Sequence, residues 1–314
     1  MNLARRFWVY QAERFPLVSY MALVAALVLG SLGYIGAHMG RAWDWWGAGV
    51  AWFTVLGVFF QLRVADEFKD AVPDARFRPY RPVPRGLIRL GELRTLALAV
   101  GVVQALLTGG LDVRLLPFLA LIWAYLLLMA REFFVHEWLT ARPLLYMLSH
   151  MGIMLFMFLY MLMVGVLGMD QGPAVSGNIA GAALFAQLPA RVEWFLLAAY
   201  ANGLVFEIAR KLRAPADEET GVETYSSLWG IRRAAMAWWL ALLAAGVGLG
   251  FAGWQVDAGW WLPLVIGLLL GLGLWYGVRY GATPTTRTAK RIDTFSALWV
   301  LILYGLFAAL PWLR

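Results

Sequence analysis

Long apolar runs separated by short charged linkers organise this chain from end to end. Nine stretches are apolar and long enough to cross a bilayer: residues 17–38, 43–62, 95–112, 115–130, 144–169, 194–212, 231–253, 260–280 and 292–313. Each predicts a helix, because a segment in hydrocarbon must satisfy its backbone polar groups internally. The longest polar linkers, 63–94 and 210–233, are too short to be domains. Residues 1–314 therefore read as a single integral membrane domain of all-α class, with those two linkers as charged loops at one face.

Composition agrees: 62% of the residues are hydrophobic and 14% charged, far from a soluble domain. There is no cysteine, which removes disulfides, thiolate nucleophiles and thiolate metal sites. The three histidines, His38, His136 and His150, are too widely spaced for a zinc motif. A net charge of +7 raises nucleic acid as a partner, but its distribution argues for membrane lipid instead. Of 26 basic residues, all but Arg41, Arg114, Arg191 and Arg314 fall on the side of the N-terminus. By the positive-inside bias that side is cytoplasmic, and an odd number of spans leaves the C-terminus outside. A bacterial inner membrane is the expected location. Trp43, Trp45, Trp46, Trp194, Trp254, Trp260, Trp261 and Trp312 mark the opposite interface. Arg5, Arg6 and Arg14 among Phe7, Trp8, Tyr10 and Phe15 predict a short amphipathic helix on the cytoplasmic face.

The candidate chemistry lies in the first loop, DEFKDAVPDARFRPYRPVPRG, residues 66–86. Asp66, Asp70 and Asp74 recur every four residues, with Glu67 beside the first, so on a helix they share one face. Crowded carboxylates repel one another, and a hard divalent cation such as Mg²⁺ relieves that repulsion. Arg76, Arg78, Arg81 and Arg85 follow, and guanidinium groups are well shaped to grip phosphate. The alternative reading is a solvated helix end paired with neighbouring bases. Pro73 is expected to end the helix, leaving Asp74 just beyond it.

At these residues the chain resembles the UbiA superfamily of intramembrane prenyltransferases. That family's first motif is NDxxDxxxD followed by RPxRPxPxG. Asp66 stands where the family has Asn, and Glu67, Asp70 and Asp74 match its acids. Arg78, Pro79, Arg81, Pro82, Pro84 and Gly86 match the trailing segment. In the second loop Gly221 and Thr224 match the family's Gly-x-x-Thr, which puts Asp217 on the last aspartate. The expected acid four residues earlier is Arg213, a departure for which Glu207, Glu218 or Glu219 could substitute.

The resemblance implies a nine-helix bundle around a central cavity capped by the two loops. It implies Mg²⁺ on Asp66, Glu67, Asp70, Asp74, Asp217 and Glu218, with Lys69 and Arg81 assisting Asp70 and Asp74 at the reacting diphosphate. Arg78, Arg81, Glu207, Arg210, Lys211, Tyr146 and His150 are the implied substrate contacts. The donor would be a prenyl diphosphate and the acceptor a small, lipophilic, aromatic or cyclic molecule, as in quinone biosynthesis. Three other chemistries suit the same fold: prenylation of a glycerol-phosphate lipid, phosphoribosyl transfer and terpene cyclisation. A non-enzymatic transporter would need acids near the bilayer midplane, whereas these lie at its edge. Glu207, Arg210 and Lys211 could equally pair along one helix, and His150 could bond a neighbouring helix.

Overall fold

The structure, a computed structural model, describes residues 2–168 and 182–313. The end of the fifth expected span at Met169, and Arg314, lie outside the described residues. The chain runs α1 (Leu3–Arg14), α2 (Leu17–Met39), α3 (Trp45–Lys69), α4 (Ala71–Phe77), α5 (Leu90–Leu111), α6 (Leu116–Ala130), α7 (His136–Thr140), α8 (Pro143–Met151) and α9 (Ile153–Gly168). It continues through α10 (Ala182–Phe185), α11 (Glu193–Ala209), α12 (Tyr225–Trp229), α13 (Ile231–Gln255), α14 (Trp261–Ala282) and α15 (Thr286–Ala309). No strand occurs among the described residues. The expected N-terminal amphipathic helix is α1, capped by the Asn2 side chain.

Among the described residues, eight helical stretches are long and apolar enough to cross a membrane. The sixth expected span, 194–212, is α11, a helix of 17 residues. At about 1.5 Å per residue it is short for a span, yet it brings the second charged loop to the same face as the first. At its end Arg210 and Lys211 pair back with Glu207. The fifth span is also interrupted: α8 and α9 meet at Gly152, immediately after His150 and Met151.

In the bundle, α2 packs on α15 and α9, α11 lies against α9, α13 and α15, and α3 packs on α5. The α2–α15 approach needs Gly30, where a Cβ would lie 2.7 Å from the Tyr304 carbonyl oxygen. The centre is filled by aromatic side chains. Tyr34 stacks on Phe195 at 4.4 Å, and Phe158, Tyr304 and Phe307 surround them. Polar groups in this interior satisfy one another. Trp299 Nε1 donates to Asn202 Oδ1 at 2.9 Å, and Trp238 Nε1 donates to Ser296 Oγ at 3.0 Å. Each such bond between helices is worth about 1 kcal/mol, so Asn202 serves packing here.

Trp45, Trp46, Trp254, Trp260 and Trp312 are exposed, as an interfacial belt requires. Trp43 is a correction: it is buried edge-on against Trp45 and Trp312 and belongs to the core.

Candidate active site

The end of α3 carries Asp66, Glu67 and Lys69, and Asp70 caps it. The helix restarts at once as α4, because Asp74 N–H bonds back to the Asp70 carbonyl at 2.8 Å. Pro73 falls in the first turn of α4, where no intrahelical donor is lost. Asp74 therefore lies inside a helix, contrary to the expectation that the proline would leave it beyond one, and it is only 2% exposed.

A buried carboxylate requires a partner. Arg81 Nη1 meets Asp74 Oδ2 at 2.6 Å and Arg78 Nη2 meets Oδ1 at 2.9 Å. Glu67, equally buried, is held by Arg14 Nε at 2.6 Å, and Arg14 Nη2 approaches Asp74 at 4.0 Å. Arg14 comes from α1, which is strapped to the same region by Glu13–Arg85 and Arg6–Glu92 pairs, each at 2.6 Å. Asp66 is half-exposed, with Arg63 Nη1 at 3.5 Å. Burial raises the Asp70 pKa above the usual carboxylate range. The neighbouring charges of Asp66 and Asp74 add to the rise, and Arg78 and Lys69 reverse it only in part.

Lys69 reaches the other way. Its Nζ lies 2.5 Å from Glu132 Oε1, hydrogen-bonds the Tyr146 hydroxyl and sits 4.5 Å from the Tyr146 ring centroid. Glu132 opens a turn in which Glu132, Phe133 and Phe134 have φ of 47°, 54° and 61°. Three successive non-glycine residues in the left-handed region are unusual and cost on the order of 1–3 kcal/mol each. The turn aims Glu132 inward, and Lys69 and His136 both bond it. Burial would raise the pKa of Glu132, but these two partners outweigh it and hold the carboxyl below its ordinary value.

In the second loop Glu207 is committed along its own helix, to Arg210 Nη2 at 2.5 Å and Lys211 Nζ at 2.9 Å. Tyr225 Oη donates to Oε1 of that carboxylate, the oxygen Lys211 also meets, at 3.5 Å. Asp217 accepts a hydrogen bond from Thr286 Oγ1 at 3.0 Å. Both oxygens of Glu218 lie within 2.8 Å of the Thr224 hydroxyl, whose oxygen also caps α12. Gly221, at φ +78°, lets the loop touch the first one: a Cβ there would meet Phe77 Cδ1 at 2.9 Å.

The two loops thus converge, and a polar pocket of about 280 Å³ opens between them. Arg14, Arg78, Arg81 and Arg213 line it, together with Glu13, Asp217, Glu219 and Thr224. The open space is at the charged end, above the aromatic packing of the bundle.

The six acids expected to share metal ligation do not form one cluster. Among the described residues no three of His, Asp and Glu are grouped to hold an ion. The reason is electrostatic: Glu67 and Asp74 are buried and turn to arginine, and Asp217 and Glu218 take threonine hydroxyls. The fit to Mg²⁺ rests on Asp66 and Asp70. Asp70 feels the repulsion of both neighbouring aspartates, which a hard oxygen-seeking cation relieves. Of the implied substrate contacts, Arg78 and Arg81 line the pocket, Tyr146 stacks on His150 and bonds Lys69 at the end of α3, and Glu207 pairs with Arg210 and Lys211. Arg14 and Glu132 are additions, each brought in by contact with a distant segment.

The fold has known counterparts. The chain is similar to the apo structure of a UbiA homolog from Aeropyrum pernix K1, with a TM-score of 0.63 and 15% identity over 90% of this chain and 96% of that one. It is also similar to the structure of a digeranylgeranylglyceryl phosphate synthase, with a TM-score of 0.57 and 16% identity over 94% of this chain and 98% of that one. No protein-family model matches the chain, and no curated protein does. The all-α fold expected from the sequence is therefore that of UbiA structures, with the count of nine spans approximate.

Proposed function

We propose that this protein is an intramembrane prenyltransferase that moves an isoprenyl group from a prenyl diphosphate to a small lipophilic acceptor. The observation that carries this reading is the pocket between the charged loops. Four arginines line it, and one of them, Arg78, only partly offsets the mutual repulsion of Asp66, Asp70 and Asp74, which invites a divalent cation.

The donor diphosphate would lie among Arg14, Arg78, Arg81 and Arg213, with its apolar tail directed toward the bilayer. Arg78 and Arg81 are pre-positioned for this by their pairs with Asp74, so little reorganisation is needed when phosphate arrives. Asp66 and Asp70 would hold Mg²⁺, which supplies charge neutralisation for the departing diphosphate. The reaction breaks the bond between C1 of the prenyl chain and the diphosphate oxygen, which keeps the electron pair. Guanidinium groups at the pocket stabilise the charge that develops there. The acceptor's electron pair then forms the new bond to C1, and its proton is released. Water must be kept from the allylic cation, and the apolar bundle beneath the loops serves that end. The loops are proposed to face the cytoplasm, in keeping with the charge bias along the chain.

The test is to incubate the purified protein in detergent with prenyl diphosphates of several lengths and with aromatic and glycerol-phosphate acceptors, with and without Mg²⁺. The reading expects metal-dependent diphosphate release and a prenylated product, and the product identifies the acceptor class. Absence of metal-dependent release with every donor would overturn it.

A further inference from the structure

His150 ends α8 just before the Gly152 break and is buried, with 9% exposure. Its ring stacks on Tyr146 at 4.0 Å and 12°, and the edge of Phe133 closes it at 5.8 Å. Nδ1 lies 2.9 Å from the Tyr146 carbonyl oxygen and 3.4 Å from Ser149 Oγ. Ser149 Oγ itself donates to the Tyr146 carbonyl at 3.0 Å. A carbonyl oxygen can only accept, so in the neutral ring Nδ1 carries the proton and Nε2 is a bare lone pair. Nε2 is buried and has no hydrogen-bond partner among the described residues. A polar atom in that state points to a missing donor.

The surroundings tie this lone pair to the candidate active site. Lys69, which adjoins Asp70, bonds the Tyr146 hydroxyl. The charges that act on the imidazole are Lys69 and Asp66 from α3, Glu132 from the left-handed turn, and Glu207 from α11. Glu132 pins Lys69, Lys69 bonds Tyr146, and Tyr146 fixes the imidazole by ring stacking and by its carbonyl. The ring is thus locked in one tautomer.

We propose that His150 Nε2 binds a hydroxyl group of the prenyl acceptor and takes its proton during transfer. This rests on the prenyltransferase reading and narrows the acceptor to hydroxyl-bearing molecules. In the step, the acceptor oxygen forms a bond to C1 of the prenyl group. The C1–oxygen bond to diphosphate breaks, and diphosphate leaves with that electron pair. The O–H bond of the acceptor gives its electrons to oxygen and its proton to Nε2. The imidazolium then returns the proton to solvent.

The experiment measures prenyl transfer and diphosphate release separately in detergent-solubilised wild type and in H150Q and H150A. Loss of a general base lowers transfer by about 100-fold or more. H150Q is expected to lose transfer to that extent, to keep its donor KM within about twofold, and still to release diphosphate by hydrolysis. Added imidazole should restore part of the transfer in H150A. Transfer by H150Q within about threefold of wild type, with diphosphate release intact, overturns this inference and leaves the prenyltransferase reading standing. No metal-dependent release by wild type overturns both. Should the variants fail to fold, wild type decides alone: a hydroxyl acceptor should bind at least about tenfold tighter than its methyl ether, and equal binding overturns the inference.

Discussion

The two charged loops use their acids in opposite ways. In the first, Glu67 and Asp74 sit on helices, are 2% exposed, and are clamped by Arg14, Arg78 and Arg81. In the second, Asp217 and Glu218 lie at a short 3₁₀ turn, partly exposed, and are held by the hydroxyls of Thr286 and Thr224. Buried ion pairs are costly to break, whereas a hydroxyl bond near the surface is easily exchanged. The first loop is therefore a fixed electrostatic frame. The second presents side chains that can be redirected to a ligand. The loop that keeps the UbiA pattern is the rigid one, and the divergent loop is the adaptable one.

This contrast can be broken by mutation. Asp74→Ala should have the largest effect, because it strands two guanidinium groups in a mostly buried site. A loss of about 3–5 kcal/mol is expected, read as a large drop in the denaturation midpoint in detergent; an unchanged midpoint would remove the fixed frame from the account. Next comes pH. Asp70 takes up a proton at a higher pH than an ordinary carboxylate, and its protonated form is a poor cation ligand. Mg²⁺-dependent donor binding should be present at high pH and weaken as pH falls through that raised value, by up to about tenfold per unit. Asp70→Asn should flatten the profile, as followed by titration calorimetry across pH. Glu132→Gln keeps the shape of the strained turn but removes the charge opposite Lys69. A loss of about 1–3 kcal/mol is expected, together with a change in the fluorescence of Tyr146-region probes such as a nearby engineered tryptophan. Asp217→Asn should be mildest, with stability changed by less than about 1 kcal/mol and donor affinity altered more than the melting temperature. A destabilisation as large as that of Asp74→Ala would erase the distinction between the loops.

Much of this was legible in the sequence, and for identifiable reasons. The bundle follows from apolar runs that only helices can carry through hydrocarbon. The first loop announces itself through Asp66, Asp70 and Asp74 at helical spacing with arginines close behind. The converging loops follow from the matched motifs, as Phe77 against Gly221 attests. Other features depend on contacts between distant segments. Arg14 reads as an interfacial charge on α1, and only folding brings it 53 residues along the chain to Glu67. Glu132 sits in REFFVHE, which has no glycine to advertise a left-handed turn. The break before α9 falls within a long apolar run, where Gly152 two residues after His150 does not by itself announce a break. The six-acid metal set follows from the resemblance of the two motifs, which cannot reveal that arginines already hold Glu67 and Asp74.

The most direct measurement is calorimetric binding of a prenyl thiodiphosphate, a donor analogue slow to ionise, to wild type, Asp70→Asn and Arg81→Ala. The account expects binding to wild type that requires Mg²⁺, disappears with EDTA, and weakens at least about tenfold in each variant. Binding that is equally tight in EDTA, or unchanged in both variants, would contradict a metal–diphosphate site between these loops.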